Sequence, residues 1–288
     1  MNFLDRLIDL ALDEDLGAAG DVTTLALVPR EAKGRAELWA KEPMVLSGTE
    51  AFARVFARVD PDCTLRFTAE DGEAIKPRQK IAFIQGRLQS LLIAERTALN
   101  ILQRTCGIAT LAKVAADAVK GTGLRILDTR KTPPGMRGLA KQAVRHGGAT
   151  NHRFGLFDGV LIKDNHIAAV GGSVKKALAL ARENAPRLVK IEIEVTDLAM
   201  LKEAVAEGAD VVLLDNMDDA TLREAVKIAG GKVELEASGG ITLDRLPRLA
   251  KLGVDYVSMG ALTHSARAMD LSLEIVGENP KQRTRARK

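Results

Sequence analysis

Between Asp128 and His166 the chain places Arg130, Lys131, Arg137, Arg153 and Lys163, with His152 and His166 among them, at or near the ends of short apolar stretches. A solvated surface scatters cations along helix faces and intersperses acids. A run of fixed positive charge gathered in one cleft is costly unless an anion balances it. The chemistry this constellation suggests is the binding of a small polyanion.

Further along, the residues change character. Lys190-Ile191-Glu192-Ile193-Glu194-Val195 alternates, so Glu192 and Glu194 share one face of a strand. Asp215-Asn216, Ser238-Gly239-Gly240 and Gly260-Ala261 each follow an apolar stretch. The glycine-bearing turns expose backbone N–H groups near a helix start, which suits phosphate, although glycine in such a place often serves only the turn. Glu194 and Asp215 have the chemistry to hold the hydroxyls of a ribose or the Mg²⁺ of a polyphosphate, and the cations that of phosphate and carboxylate partners. A sugar diphosphate and a carboxylated acceptor make a ligand pair with these features.

The elements that must position these groups are legible from periodicity. Phe3, Leu4, Leu7, Ile8 and Leu12 recur at helical spacing. Short strands are expected at 35–40, 44–47, 64–68 and 80–85, with a helix at 50–59, and together these make an α+β unit. A helix over 90–106 is expected to end at Gly107, and another to run from about 108 to 120. After Gly121 strands alternate with Ala/Leu-rich helices: strands at 124–128, 159–162, 189–195, 211–214, 233–237 and 256–259, helices at 175–183, 198–207 and 220–229. Continuous apolar strands flanked by helices predict a parallel sheet covered on its outer face. Six strands fall short of the eight of a closed barrel. Polar residues at the C-terminal end of nearly every strand favour an incomplete barrel mouth over a doubly wound sheet.

The fold class expected is therefore α/β: an N-terminal α+β sandwich domain with the first helix and a linker helix over residues 1–107, and an incomplete α/β barrel carrying the active site over 108–275. Residues 276–288 are expected to form a disordered basic tail. The formal charge of the 288 residues is +4, but residues 281–288 contain five basic groups and no acid, so the remainder sums to −1. With aromatics at 3%, there is little material for stacking on bases, and nucleic acid is not an expected partner. Cys63 and Cys106 are too few for a disulfide framework. The first residues lack the order of a signal peptide and no apolar run approaches a membrane span, so a cytoplasmic protein without membrane contact is expected.

In order along the chain stand Gly20-Asp21-Val22-Thr23-Thr24, Glu95-Arg96-Thr97-Ala98-Leu99-Asn100, Asp128-Thr129-Arg130-Lys131-Thr132, Asn151-His152-Arg153 and Leu161-Ile162-Lys163-Asp164-Asn165-His166. Leu213-Leu214-Asp215-Asn216, Glu236-Ala237-Ser238-Gly239-Gly240 and Gly260-Ala261-Leu262-Thr263-His264 follow. By these motifs the chain resembles the quinolinate phosphoribosyltransferases (nicotinate-nucleotide pyrophosphorylase, carboxylating), departing from their pattern at Pro133-Pro134 and at Ala149. The resemblance implies a type II phosphoribosyltransferase-like fold and transfer from 5-phosphoribosyl-1-pyrophosphate to quinolinate with Mg²⁺. It implies homodimers, with higher dimer-based assemblies open, in which one subunit's N-terminal domain covers the other's barrel mouth. By matching motifs, Arg130, His152, Arg153 and Lys163 would contact the quinolinate carboxylates, and Arg96 would reach in from the partner. Lys131 would meet the phosphates. Glu194 and Asp215 would face the ribose or metal, and Ser238, Gly239, Gly240, Gly260 and Ala261 the phosphate groups. Lys131, Lys163, Glu194 and Asp215 would be the catalytic set.

Two other readings stand beside this one. Lys163 at a strand end could serve a Schiff-base aldolase, though the surrounding cations exceed what that chemistry needs. A non-catalytic anion-binding protein, or a paralogue associated with molybdenum transport, would use the same cations without turnover.

Overall fold

The computed structural model describes residues 3–276; the expected basic tail lies, apart from its first residue, outside them. In chain order the elements are α1 (Phe3–Leu16), α2 (Val22–Leu27), β1 (Lys33–Ala40), β2 (Met44–Val45), α3 (Thr49–Val59), β3 (Thr64–Phe67), β4 (Ala74–Ile75), β5 (Lys80–Arg87) and α4 (Leu88–Ala118). Then come β6 (Arg125–Leu127), α5 (Arg137–His146), β7 (Val160–Ile162), α6 (Asp164–Ala169), α7 (Val174–Asn184), β8 (Ile191–Val195), α8 (Leu198–Ala206), β9 (Val211–Asp215) and α9 (Asp219–Ala229). The remainder is β10 (Glu234–Ser238), a 3-10 turn (Leu243–Arg245), α10 (Leu246–Leu249), β11 (Tyr256–Ser258), α11 (Ala261–His264) and β12 (Leu271–Val276). No helix among them is long and apolar enough to cross a membrane.

The chain divides into two compact units. Of the described residues, the first takes 3–110, 134–147 and 266–276, the second 111–133 and 148–265. The boundary expected at 107/108 falls inside α4, and neither unit is contiguous in sequence. The physical reason is strand pairing: β12, expected within the barrel segment, pairs antiparallel with β1 from Arg35↔Val276 to Ala40↔Leu271.

In the first unit the sheet order is β12-β1-β5-β3, with β2 and β4 forming a separate pair. Ile8, Leu38, Phe52, Phe56, Ile81, Ile84, Leu91 and Leu99 fill its core, with the rings of Phe52 and Phe56 packed 5.1 Å apart. The helix expected to stop at Gly107 runs on unbroken to Ala118. A side chain at Gly107 would run into the carbonyl oxygen of Arg267, so this glycine permits a close backbone approach instead of ending the helix.

In the second unit six strands lie in the order β6-β11-β10-β9-β8-β7. All five pairings are parallel. Ile126, Ile193, Val212, Leu214, Leu235 and Val257 are buried, as expected of strands covered on both faces. Each strand lies within a few residues of its predicted span. Because the strands are parallel, their C-terminal ends fall at one edge of the sheet, and whatever follows them is gathered there.

Candidate active site

Six strand ends supply the polar edge of the second unit. Lys131 follows β6, Lys163 follows β7, Glu194 is the penultimate residue of β8, Asp215 ends β9, Ser238 ends β10, and Gly260 follows β11. Arg137, which belonged to the cation run in sequence, opens α5 in the first unit instead. Arg96 also belongs to the first unit, exposed on α4 between the buried Ala94 and Ala98.

Asp128 organises the entry to the site. It is fully buried just beyond β6. One carboxylate oxygen accepts the Asn151 side-chain amide at 2.7 Å, and the other accepts the His152 backbone N–H at 2.8 Å. The Asp128 backbone N–H donates to Thr150 at 3.2 Å. One buried acid thereby holds the turn that presents Arg153. The Arg153 guanidinium donates to the Gly159 carbonyl at 2.9 Å. Burial and, next, the charge of Arg130 hold its pKa below the usual arginine range, with Glu192 and Asp158 opposing them. Two guanidinium groups close enough to repel in a half-buried place mark a site complementary to anions.

Lys163 forms an ion pair with Glu194 across neighbouring strands. Its backbone N–H donates to His166 Nδ1 at 2.9 Å, so His166 caps the first turn of α6 and is itself exposed. Asp215 accepts the Asn216 side-chain amide at 2.8 Å. Asn216 adopts φ 54°, and its backbone N–H donates to Ser238 O at 3.0 Å. Gly239, at φ +91°, lies so close that a Cβ would overlap the Asn216 side chain and come within 2.8 Å of its backbone nitrogen. The Ser258 hydroxyl donates to that of Ser238 at 2.9 Å. On the other side, a Cβ on Gly260 would meet Lys131 Cδ at 3.0 Å and His264 Nε2 at 3.1 Å. Thr263 Oγ1 donates to the Lys131 carbonyl at 2.8 Å, fixing the loop that carries this lysine.

Sequence reasoning put Glu192 on one strand face with Glu194 but did not single out Glu236 or the contact both make under this edge. Glu192 and Glu236 are buried on the inward faces of β8 and β10 and both approach His152 Nε2, at 3.0 and 3.6 Å. The available signal was the strand register: Glu192 stands two residues before Glu194, and Glu236 two before Ser238, on the same faces as those expected site residues.

The edge thus carries cations after the early strands, carboxylates on the middle ones and glycine turns after the late ones, and the chain as a whole matches known proteins. The description of the quinolinate phosphoribosyl transferase C-terminal domain matches residues 108–274, and that of the N-terminal domain matches residues 21–106. The chain belongs to the quinolinate phosphoribosyltransferase family. It is 40% identical over 276 residues to the probable nicotinate-nucleotide pyrophosphorylase (carboxylating) of Bacillus subtilis, covering 96% of this chain and 94% of that one. It is 41% identical over 290 residues to quinolinate phosphoribosyltransferase (decarboxylating) 1b of Nicotiana tabacum, covering 94% of this chain and 82% of that one. Among solved structures, the nicotinate-nucleotide pyrophosphorylase of Francisella tularensis superposes with a TM-score of 0.89 at 37% identity, covering 95% of this chain and 96% of that one. For a quinolinate phosphoribosyltransferase fold, the deciding feature is continuity: both domains match in order along one chain, and the fold with them.

Proposed function

We propose that this chain transfers the phosphoribosyl group of 5-phosphoribosyl-1-pyrophosphate to quinolinate and releases CO₂, forming nicotinate mononucleotide and pyrophosphate in the synthesis of NAD. The observation that carries the reading is the half-buried Arg153 guanidinium, whose charged form is disfavoured by burial and then by the neighbouring charge of Arg130. A dianionic acceptor relieves that repulsion. The planar guanidinium forks suit its two carboxylates, and Lys163 adds a compact charge beside them.

In this reading the acceptor's ring nitrogen attacks C1 of the ribose. The C1–O bond breaks and its electron pair leaves with pyrophosphate. The transition state is positive on the sugar and negative on the leaving group. Glu194 and Asp215 stabilise the first charge. Lys131, the Ser238 hydroxyl and the backbone N–H groups of Gly239, Gly240, Gly260 and Ala261 stabilise the second. The carboxylate next to the ring nitrogen then departs as CO₂. Its electron pair stays on the ring carbon beside the new pyridinium nitrogen until water supplies a proton. No step asks for a nucleophilic side chain.

Mg²⁺ belongs to the same proposal. Glu194 and Asp215 offer hard oxygen donors on adjacent strands, which fits a cation that keeps most of its water and arrives on the diphosphate; bound there, it would offset charge on the leaving group. A reducing, cytoplasmic setting fits the two free thiols, Cys63 and Cys106.

The deciding assay compares nicotinate mononucleotide formation from quinolinate and from nicotinate. Quinolinate is expected to be strongly preferred, and equal rates would remove the cation pair from acceptor recognition. We also infer a homodimer whose sites are shared, supported by Arg96 standing exposed on a helix otherwise buried at Leu91, Ala94, Ala98 and Leu102. Mixing Arg96→Ala and Lys163→Ala chains, each inactive alone, is expected to restore about a quarter of wild-type activity, since half the dimers are mixed and each has one intact site. No recovery in verified heterodimers would mean that Arg96 serves its own chain.

A further inference from the structure

His152 looks, by its place next to Arg153, like one more group for an acceptor carboxylate. Its surroundings say otherwise. The backbone N–H of Arg153 donates to His152 Nδ1 at 2.7 Å. A ring nitrogen that accepts an N–H carries no proton, so the proton of this imidazole sits on Nε2. That Nε2 is aimed inward, 3.0 Å from Glu192 Oε2 and 3.6 Å from Glu236 Oε2. Both nitrogens are therefore committed inside the protein.

Both carboxyl groups are buried, at 7% exposure for Glu192 and 2% for Glu236. The second oxygen of each, Oε1, is buried without a hydrogen-bond partner. Such groups are expensive to bury unless something nearby depends on them. Burial and then the charge of Glu192 push the Glu236 carboxyl well above the ordinary glutamate range. Glu192 in turn acts on Arg153, supporting the charged form of its guanidinium. A divalent cation between these three residues is disfavoured by the same geometry. A ligating Nε2 must be bare, which would move the proton to Nδ1 and point it at the Arg153 N–H.

We propose that His152 is a positioning residue and not a ligand of quinolinate: Glu192, with Glu236 close behind it, holds it as the Nε2–H tautomer, and its Nδ1 holds the backbone of Arg153. The chain of support runs from the two buried acids through the imidazole to the peptide N–H of the residue whose guanidinium meets the substrate. This rests on the acceptor reading given above. It narrows that reading, because Arg130, Arg153 and Lys163 then recognise the dicarboxylate without an imidazolium.

The test uses the full-length protein labelled with ¹⁵N-histidine. The chain has four histidines, so the His152 ring signals can be assigned by their loss in His152→Gln. At pH 7 the proposal expects a neutral ring protonated on Nε2, both in the free enzyme and with quinolinate at saturation. An imidazolium, an Nδ1–H tautomer, or ring nitrogen shifts showing a bond to added quinolinate would overturn it. The tautomer is read in the free protein, so a failure of quinolinate to bind by calorimetry would count against the function and leave this question answered. Kinetics supply a second readout. His152→Ala is expected to raise the KM for quinolinate about tenfold through a displaced Arg153, while kcat and the KM for the phosphoribosyl donor change little. His152→Gln, which keeps an N–H donor within reach of the two acids, is expected to restore most of that loss. A glutamine no better than alanine would contradict the proposal.

Discussion

Replacing Asp128 with asparagine changes one atom at the point from which the Asn151-His152-Arg153 turn is hung. In the wild type both oxygens accept: the Asn151 amide at 2.7 Å and the His152 N–H at 2.8 Å. The asparagine has one oxygen, so whichever way its amide turns, a nitrogen faces one of those donors. The cost has two parts. A hydrogen bond to a charged acceptor contributes about 1.5–3 kcal/mol, and a donor left buried without a partner adds about 1 kcal/mol or more. Asp128 is 0% exposed, so water cannot enter to relieve the mismatch. The expected loss of stability is about 3 kcal/mol, read from urea denaturation followed by far-UV circular dichroism. The turn also carries Arg153, and a small displacement there is expected to raise the KM for quinolinate by roughly tenfold or more. The reasoning fails if Asp128→Asn unfolds at the wild-type urea concentration and binds quinolinate as well as before.

Other perturbations reach different parts of the molecule. Arg153→Ala is expected to weaken quinolinate binding by about 2 kcal/mol or more, because it leaves a carboxylate without its partner; calorimetry showing unchanged affinity would take Arg153 out of the site. Gly239→Ala places a methyl group against Asn216 at φ +91°. A rise in the KM for the phosphoribosyl donor and a loss of about 2 kcal/mol of stability are expected, and wild-type values in both would show the turn to be tolerant. Asp60 in the first unit accepts Arg87 at 2.9 Å and Ser90 at 2.7 Å, which hold its carboxyl well below the usual range. A pKa depressed by folding stabilises above the unfolded value of about 4 and is lost as pH falls toward the folded one. Asp60→Asn should therefore be less stable than wild type by about 2 kcal/mol at pH 7, with the gap narrowing by roughly 1 kcal/mol at pH 3; an unchanged gap in urea midpoints would refute the assignment.

The second unit was readable in the sequence because its physics is local. A strand buried on both faces must be apolar throughout, so β8, β9 and β10 stand out between Ala/Leu-rich helices, and parallel pairing then gathers Lys163, Glu194, Asp215 and Ser238 at one edge. What escaped depends on partners distant in the chain. Gly107 looked like a helix end, since no local pattern reveals the Arg267 carbonyl that approaches it. Residues 271–276 carried no sign that they would pair with β1. Arg137 read as part of the cation cluster because proximity in sequence stood in for proximity in space. Glu192 was visible as an acid sharing a strand face with Glu194, but Glu236 was not singled out, and the bearing of both on His152 turns on which ring nitrogen accepts the Arg153 N–H, which no local pattern reveals.

The pairing of β12 with β1 also sets the timetable on which the molecule can be made. Lys41, next to β1, meets Glu274 of β12 at a separation of 233 residues. On the ribosome β1 emerges early and must wait, with one edge bare, until nearly all of the second unit has been translated. The six parallel strands have every partner they need within residues 125–258 and can assemble first. At roughly 5–20 residues per second, the exposed edge persists for on the order of ten seconds or more. Through that interval the nascent chain presents an unpaired strand to its neighbours, the condition under which polysomes promote edge-to-edge aggregation and chaperones find a client.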